Sequence, residues 1–369
     1  MKKLLLPFVF ILTASAVFAQ MPVKFMASED ISYDDNIYLT ENNTRDSFIS
    51  TTRVGAAYET QIPDSSLLLN ANATVGYNAY TRDSSANNSW DALADIGLKN
   101  EFFSLGNTFL YTSDPANNSL TERAKRITNR TYFDAISSTE KMFGAGLTLA
   151  NTYNRYMKDI WEDLNRNRID AGVQLYYNIS PMTNFYAEYV YTDINYNTNK
   201  VNNSQGGAIG LGVKTDFTAK LTGNAKVTYD YRNYANDLAG ADNFNSLIGY
   251  FLALKWTPNT LSEVSISGSR TMEETVFIND RYFEDTNITV AGSYKFQDRF
   301  TGSLALSYDN MNYRKTDRTY DLYTIRPSVD YQFMDWLSAG VWYQYRARAS
   351  NGPFEYDNNK VGVFVKGTF

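Results

Sequence analysis

The sequence predicts an all-β fold: a transmembrane antiparallel up-and-down β-barrel of about eighteen strands, with sixteen as the alternative count. Three observations predict it. Apolar and polar residues alternate in segment after segment, short turns alternate with long polar loops, and aromatic residues gather at the strand ends.

The alternation is the strand signal, because successive side chains of a strand point to opposite faces. Leu67, Leu69, Ala71, Ala73, Val75, Tyr77 and Ala79 share one face, against Leu68, Asn70, Asn72, Thr74, Gly76 and Asn78. Leu221, Gly223, Ala225, Val227, Tyr229 and Tyr231 oppose Thr222, Asn224, Lys226, Thr228, Asp230 and Arg232. Residues 287–296 and 300–309 repeat the pattern. The longest runs reach roughly 12–15 residues, more than the roughly 9–11 that a tilted strand needs to cross a bilayer.

Short turns are expected at Pro63-Asp64, Leu105-Gly106, Lys141-Met142, Ser180-Pro181, Asp216-Phe217, Pro258-Asn259, Gln297-Asp298 and Met334-Asp335. Their mean spacing is about 39 residues, a hairpin-sized period. Between them lie loops rich in Asn, Asp, Ser and Thr, including Arg82–Ser89, Asp114–Asn129, Asn197–Asn203, Asn236–Asn243 and Glu273–Arg281. Short turns on one side of a membrane and longer loops on the other give an even strand count, with both chain ends at the short-turn side. The loop 114–129 is long enough to fold inward and narrow the lumen.

Phe102, Phe143, Phe217, Trp256, Phe296, Phe300, Phe333 and Trp336 lie beside the short turns. Tyrosine, with 29 copies, crowds the opposite ends at Tyr77, Tyr80, Tyr191, Tyr196, Tyr231, Tyr234, Tyr308, Tyr313, Tyr343 and Tyr345. Two aromatic bands flanking an apolar belt read as interfacial girdles. The chain ends on Val361, Val363, Val365, Gly367 and Phe369 in alternation. This resembles the C-terminal signal of outer-membrane barrels and implies recognition of Phe369 by the barrel-assembly machinery.

The compartment is read from the N-terminus. Met1-Lys2-Lys3 is a basic region, Leu4 to Phe18 an apolar one, and Val17-Phe18-Ala19 a small-x-small cleavage site. Residues 1–19 are therefore expected to be a Sec signal peptide. Residues 20–369 are expected to form one barrel in the outer membrane of a Gram-negative cell, against lipid and lipopolysaccharide.

Composition narrows the chemistry. The net charge is −6, so no basic surplus points to nucleic acid. Cysteine and histidine are both absent, which removes disulfides, thiolate sites, the commonest general base and the commonest metal ligand. No enzyme activity and no cofactor are expected. Asp163–Asp170 has a superficial likeness to a calcium loop, but Arg168 and Gln174 stand where Gly and Glu are required. It reads more simply as a polar loop entering a strand, and Asp34-Asp35-Asn36 falls under the same reading.

Inward acids are scattered, and inward bases nearly balance them. One local bias is expected: Arg53, Arg326, Arg346, Arg348 and Lys366 line the pore near the seam where the last strands meet the first. They form either a basic strip for an anionic solute or sugar acid, or a set of ion pairs with neighbouring acids and lipopolysaccharide phosphates.

A narrower resemblance lies in Ile31-Ser-Tyr-Asp-Asp-Asn-Ile-Tyr-Leu-Thr40 followed by Asp46-Ser-Phe-Ile-Ser-Thr-Thr-Arg-Val-Gly55. These residues resemble the start of the second putative β-barrel porin family, whose members often accompany exopolysaccharide or capsule production. The resemblance implies a porin-like channel for polysaccharide export or passive solute diffusion. An occluded structural or surface-interaction barrel is the alternative. The oligomeric state is open.

Overall fold

The computed structural model describes residues 23–114, 123–137, 141–238, 240–277, 280–352 and 354–369. The expected signal peptide, 1–19, lies outside them. The strands are β1 (Val23–Asp34), β2 (Ser47–Gln61), β3 (Leu68–Tyr80), β4 (Ser89–Lys99), β5 (Phe103–Thr112) and β6 (Arg126–Ile136). They continue as β7 (Phe143–Tyr156), β8 (Arg166–Ser180), β9 (Thr183–Tyr196), β10 (Ser204–Thr218), β11 (Leu221–Tyr234) and β12 (Phe244–Asn259). The last six are β13 (Ser262–Glu274), β14 (Tyr282–Gln297), β15 (Phe300–Tyr313), β16 (Arg318–Met334), β17 (Leu337–Ser350) and β18 (Tyr356–Thr368).

Each strand pairs antiparallel with the next, and β1 pairs with both β2 and β18, so the sheet closes as an 18-stranded barrel. Closure pairs the first strand with the last and so removes the two outer edges of the sheet, which lipid cannot satisfy. At the seam Met26 stands opposite Thr368 and Asp34 opposite Lys360. Phe369 extends this ladder, exchanging backbone hydrogen bonds with Phe25 at 2.8 and 3.0 Å.

The expected turns are displaced at three places. Leu105-Gly106 lies inside β5, and the turn is Asn100–Phe102. There the Asn100 carboxamide oxygen accepts from the Phe102 and Phe103 amides, both at 2.9 Å, so the side chain builds the turn. Asp216-Phe217 and Pro258-Asn259 complete β10 and β12 instead of turning. Two expected loops are also shorter: β6 begins at Arg126, and β13 runs on through Glu274.

The outward face is a lipid-facing wall. Leu211 is 69% exposed and Phe143 67%, in a structure whose outward positions are dominated by Leu, Val, Ile and aromatic rings. Of the expected lower aromatic band, Phe102, Phe143, Phe217, Trp256, Phe296, Phe300 and Phe333 are exposed, and Trp336 is half-buried against Phe369. The upper tyrosine band divides. Tyr191 and Tyr343 face outward, whereas Tyr80, Tyr196, Tyr234 and Tyr313 are buried inside the barrel. The cause is parity: Tyr77 and Tyr80, or Tyr231 and Tyr234, are separated by an odd number and take opposite faces.

One stretch of wall departs from the regular cylinder. β12 pairs with β13 only from Tyr250 opposite Arg270 down to Asn259 opposite Ser262. Above Tyr250, residues 244–249 pair with β11 alone, and 271–274 pair with β14 alone. The upper end of β13 has left the wall and folded into the lumen.

Candidate functional site

The site is the lumen. Strand alternation aims Arg166, Arg168 and Asp170 of β8, Glu188 and Thr192 of β9, and Lys226, Asp230 and Arg232 of β11 inward. These side chains pair across the wall. Lys226 Nζ donates to Glu188 Oε1 at 2.6 Å, two strands away. Tyr186 donates from its hydroxyl to Asn224 Oδ1 at 2.9 Å across the same gap. Arg168 Nε and the Thr192 hydroxyl, at 2.9 and 2.7 Å, both donate to Asp170. The stretch that superficially resembled a calcium loop is thus a short 3-10 turn, Asp159–Leu164, followed by β8, and Asp170 is engaged by protein donors.

The folded-in end of β13 completes this ladder. Glu274 lies within reach of three guanidiniums: Arg232 Nη2 at 3.0 Å, Arg168 Nη1 at 3.1 Å and Arg166 Nη2 at 3.4 Å. Arg232 Nη2 also donates to the Met272 carbonyl at 2.9 Å. By alternation Glu274 belongs to the outer face of β13, yet its partners line the inner face of β8 and β11. That is the geometry of a strand end lying inside its neighbours' wall. Beside the clamp is a recess of about 260 Å³, bounded by Glu188, Thr192, Lys226 and Asp230 on the wall and by Thr271 and Glu273 on β13.

The mouth is narrowed from two sides. Val276, just past β13, packs with Tyr156 of β7, Leu164 and Ala124 in one buried cluster. Ala124 comes from the β5–β6 connection, and its neighbour Arg123 lies over the Tyr80 ring, 4.7 Å from its centroid. The expected inward fold of that connection therefore holds for Arg123 and Ala124. Phe277 joins a second cluster with Phe283, Met311, Tyr313 and Tyr320. Arg281 clasps the β11–β12 connection, donating to the Asn236 and Asp242 carbonyls at 2.6 and 3.1 Å. In this loop, burial holds the Asp280 carboxyl above its ordinary value, although the Thr316 hydroxyl donates to it at 3.0 Å.

A family model described as "Putative beta-barrel porin 2" matches residues 23–369. The chain belongs to this porin family. No curated protein matches the sequence. Among solved structures, OpdK of Pseudomonas aeruginosa with vanillate matches at TM-score 0.51 and 10% identity, covering 94% of this chain and 99% of that one. A second OpdK structure matches at TM-score 0.50 and 9% identity, covering 94% and 98%. OccAB4 of Acinetobacter baumannii matches at TM-score 0.49 and 12% identity, covering 95% and 99%. At such identities the likeness is one of fold. This porin-family barrel is an outer-membrane, porin-like protein.

The five seam cations of this porin-family barrel all take inward positions, but they do not share one environment. Arg53 pairs with Asp91 at 3.2 Å. Arg326 lies over the Trp342 ring, 4.7 Å from its centroid. Trp342 itself lies flat across Gly362, where no Cβ stands in the way, and reaches Asp30 of β1 with its Nε1 at 2.7 Å. Arg348 is 3% exposed and lies between the Tyr320, Phe354 and Tyr356 rings, so it stabilises the wall and does not present its charge to the lumen. Arg346 is half-buried, opposite Thr324 of β16 and Asn358 of β18. Lys366 is exposed at the short-turn end.

The sequence pattern missed the tri-arginine cluster. Arg166 and Arg168 lay in a segment read as loop, and Glu274 in another. Their only available signal was a set of arginines at even spacing, which does not say what they meet.

Proposed function

We propose that this barrel is an outer-membrane channel for polar, anionic carbohydrate, serving exopolysaccharide or capsule export. The observation that carries the reading is the lumen: charged pairs, carboxamides and tyrosine hydroxyls line the inside of a wall whose outside is apolar. Such a surface solvates a polyhydroxylated chain while offering it exchangeable hydrogen bonds. The family's association with exopolysaccharide production supports the same reading. The vanillate in an OpdK structure is a carboxylate-bearing ligand in a barrel of similar fold, and it supports an anionic cargo only by analogy. The reading also has lipopolysaccharide against the outer wall and the assembly machinery engaging Phe369. It assigns the protein transport and no catalysis.

The packed mouth supports a second reading, an occluded barrel with a structural role. Reconstitution into planar bilayers separates the two. A channel gives stepwise single-channel current and lets charged oligosaccharides leave proteoliposomes. Absence of both current and efflux from correctly folded protein overturns the channel reading.

A further inference from the structure

Arg166, Arg168 and Arg232 are held together by a carboxylate that comes from a displaced strand end, not from the wall. Glu274 and its two partners on β8 are separated by 106 and 108 residues in the chain and by four intervening strands in the wall. Without Glu274, the three guanidiniums keep one directly bonded carboxylate, that of Asp170. Arg166 is largely buried, and its Nε has no hydrogen-bond partner among the described residues. Cations left this way in a low-dielectric recess draw an anion. The recess beside them, about 260 Å³, gives a ligand room to arrive.

The displaced strand end also has somewhere to go. Residues 244–249 of β12 present an unpaired ladder edge toward β13. Continuing the register of Tyr250 opposite Arg270 upward sets Ile248 opposite Met272 and Ser246 opposite Glu274, all on the outer face. Zipping β13 onto this edge restores a regular wall, satisfies the edge and carries Val276 and Phe277 out of the lumen.

We propose that Arg166, Arg168 and Arg232 form a binding site for the carboxylate of a sugar acid, that Glu274 occupies it as an internal surrogate, and that the solute's carboxylate displaces Glu274 and lets β13 zip onto β12. The proposal rests on the channel reading and names its cargo. No covalent step is involved: one carboxylate replaces another on the same donors. Glu188, Lys226, Asp230, Arg270 and Glu273 are the other charged groups lining the recess, and Asp170 stands beside it on Arg168.

The test uses the natural absence of cysteine. An Ile248→Cys/Met272→Cys pair is then the protein's only thiol pair, and disulfide formation reports zipping. Galacturonate is expected to accelerate cross-linking, and neutral galactose is not. Adding Glu274→Gln is expected to accelerate it without any sugar, by about tenfold or more, because losing one partner of a buried ion pair exceeds the free energy of a factor of ten. The oxidised pair is expected to show higher single-channel conductance than the reduced pair. Cross-linking that ignores both galacturonate and Glu274→Gln overturns the proposal. If galacturonate accelerates cross-linking but no variant, oxidised or reduced, passes current, the site stands and the channel reading falls.

Discussion

Asn358 donates from its Nδ2 to Asp34 Oδ1 at 2.7 Å across the closure seam, with both residues buried. Next to it, Asn359 engages Asp35 twice, through backbone and side-chain nitrogens, each at 2.8 Å. Asn36 reaches the Asp357 carbonyl at 3.0 Å. The Asp34-Asp35-Asn36 run is therefore a clasp joining the first strand to the last. The Asp34 and Asp35 carboxylates accept from β18, while Asn36 Oδ1 accepts from the Thr40 amide at 3.0 Å.

Breaking the clasp should weaken closure. Asp34→Ala removes the shortest acceptor of the Asn358 amide and leaves it only the longer contacts to Asp35 at 3.3 Å and the Asn36 carbonyl at 3.5 Å, at a cost of about 1 kcal/mol. The temperature at which the folded barrel loses its compact gel migration should fall. Asp34→Asn, which keeps an acceptor at the same place, should recover most of the loss.

Gly249 lies under the backbone of β13. A Cβ on Gly249 stands 2.7 Å from the Arg270 carbonyl oxygen, and 2.5 and 2.8 Å from the Thr228 hydroxyl and an Asp230 carboxylate oxygen on β11; the two side chains can turn aside, but the Arg270 backbone gives way only if β12 and β13 move apart. Gly249→Val is therefore expected to push the strand end off the lumenal face, at a cost of about 1–3 kcal/mol in stability. Single-channel conductance should rise relative to the unaltered protein. Unchanged conductance with reduced stability would mean that the clash is absorbed locally.

The strand count and the faces were legible because each rests on local information. A period of two fixes which side chain faces lipid, and the even number of strands follows from the turns. The turn at Asn100 was misplaced because the residues that build it have the same polarity as those of strand ends. The clasp was visible as a motif, but its role depended on pairing residues some 320 positions apart. The Glu274 cluster was hidden for a stronger reason. Alternation assigns Glu274 to the outer face, and only a strand leaving the wall brings it to Arg166, Arg168 and Arg232. No periodicity encodes that departure.

The loop after β13 should respond to pH through Asp280. Burial raises its carboxyl above the ordinary value, so the folded loop binds the proton more tightly than an unfolded one. Stability from this group is then greatest below the ordinary carboxylate range and declines as pH rises through the raised value. Thr316, Lys315 and Arg318 face it and partly offset the effect. Protease sensitivity of the loop should increase from acidic to neutral pH, and Asp280→Asn should flatten that dependence.

The seam arginines should separate by environment, although all point inward. Arg348 contributes through its rings: its guanidinium lies 4.6 Å from the Tyr356 centroid, and its Nε donates to the Phe354 carbonyl at 2.5 Å. Desolvated cation–π contacts are worth about 2 kcal/mol. Arg348→Gln should therefore lower the unfolding temperature while leaving the reversal potential in a salt gradient where it was. Arg326 is different, since one ring supports it and the rest of its side chain is open to the lumen. Arg326→Gln should shift the reversal potential toward cation preference with a smaller stability loss. If both substitutions shift the potential equally, ring burial does not screen Arg348, and its charge reaches the ion path in spite of its cage.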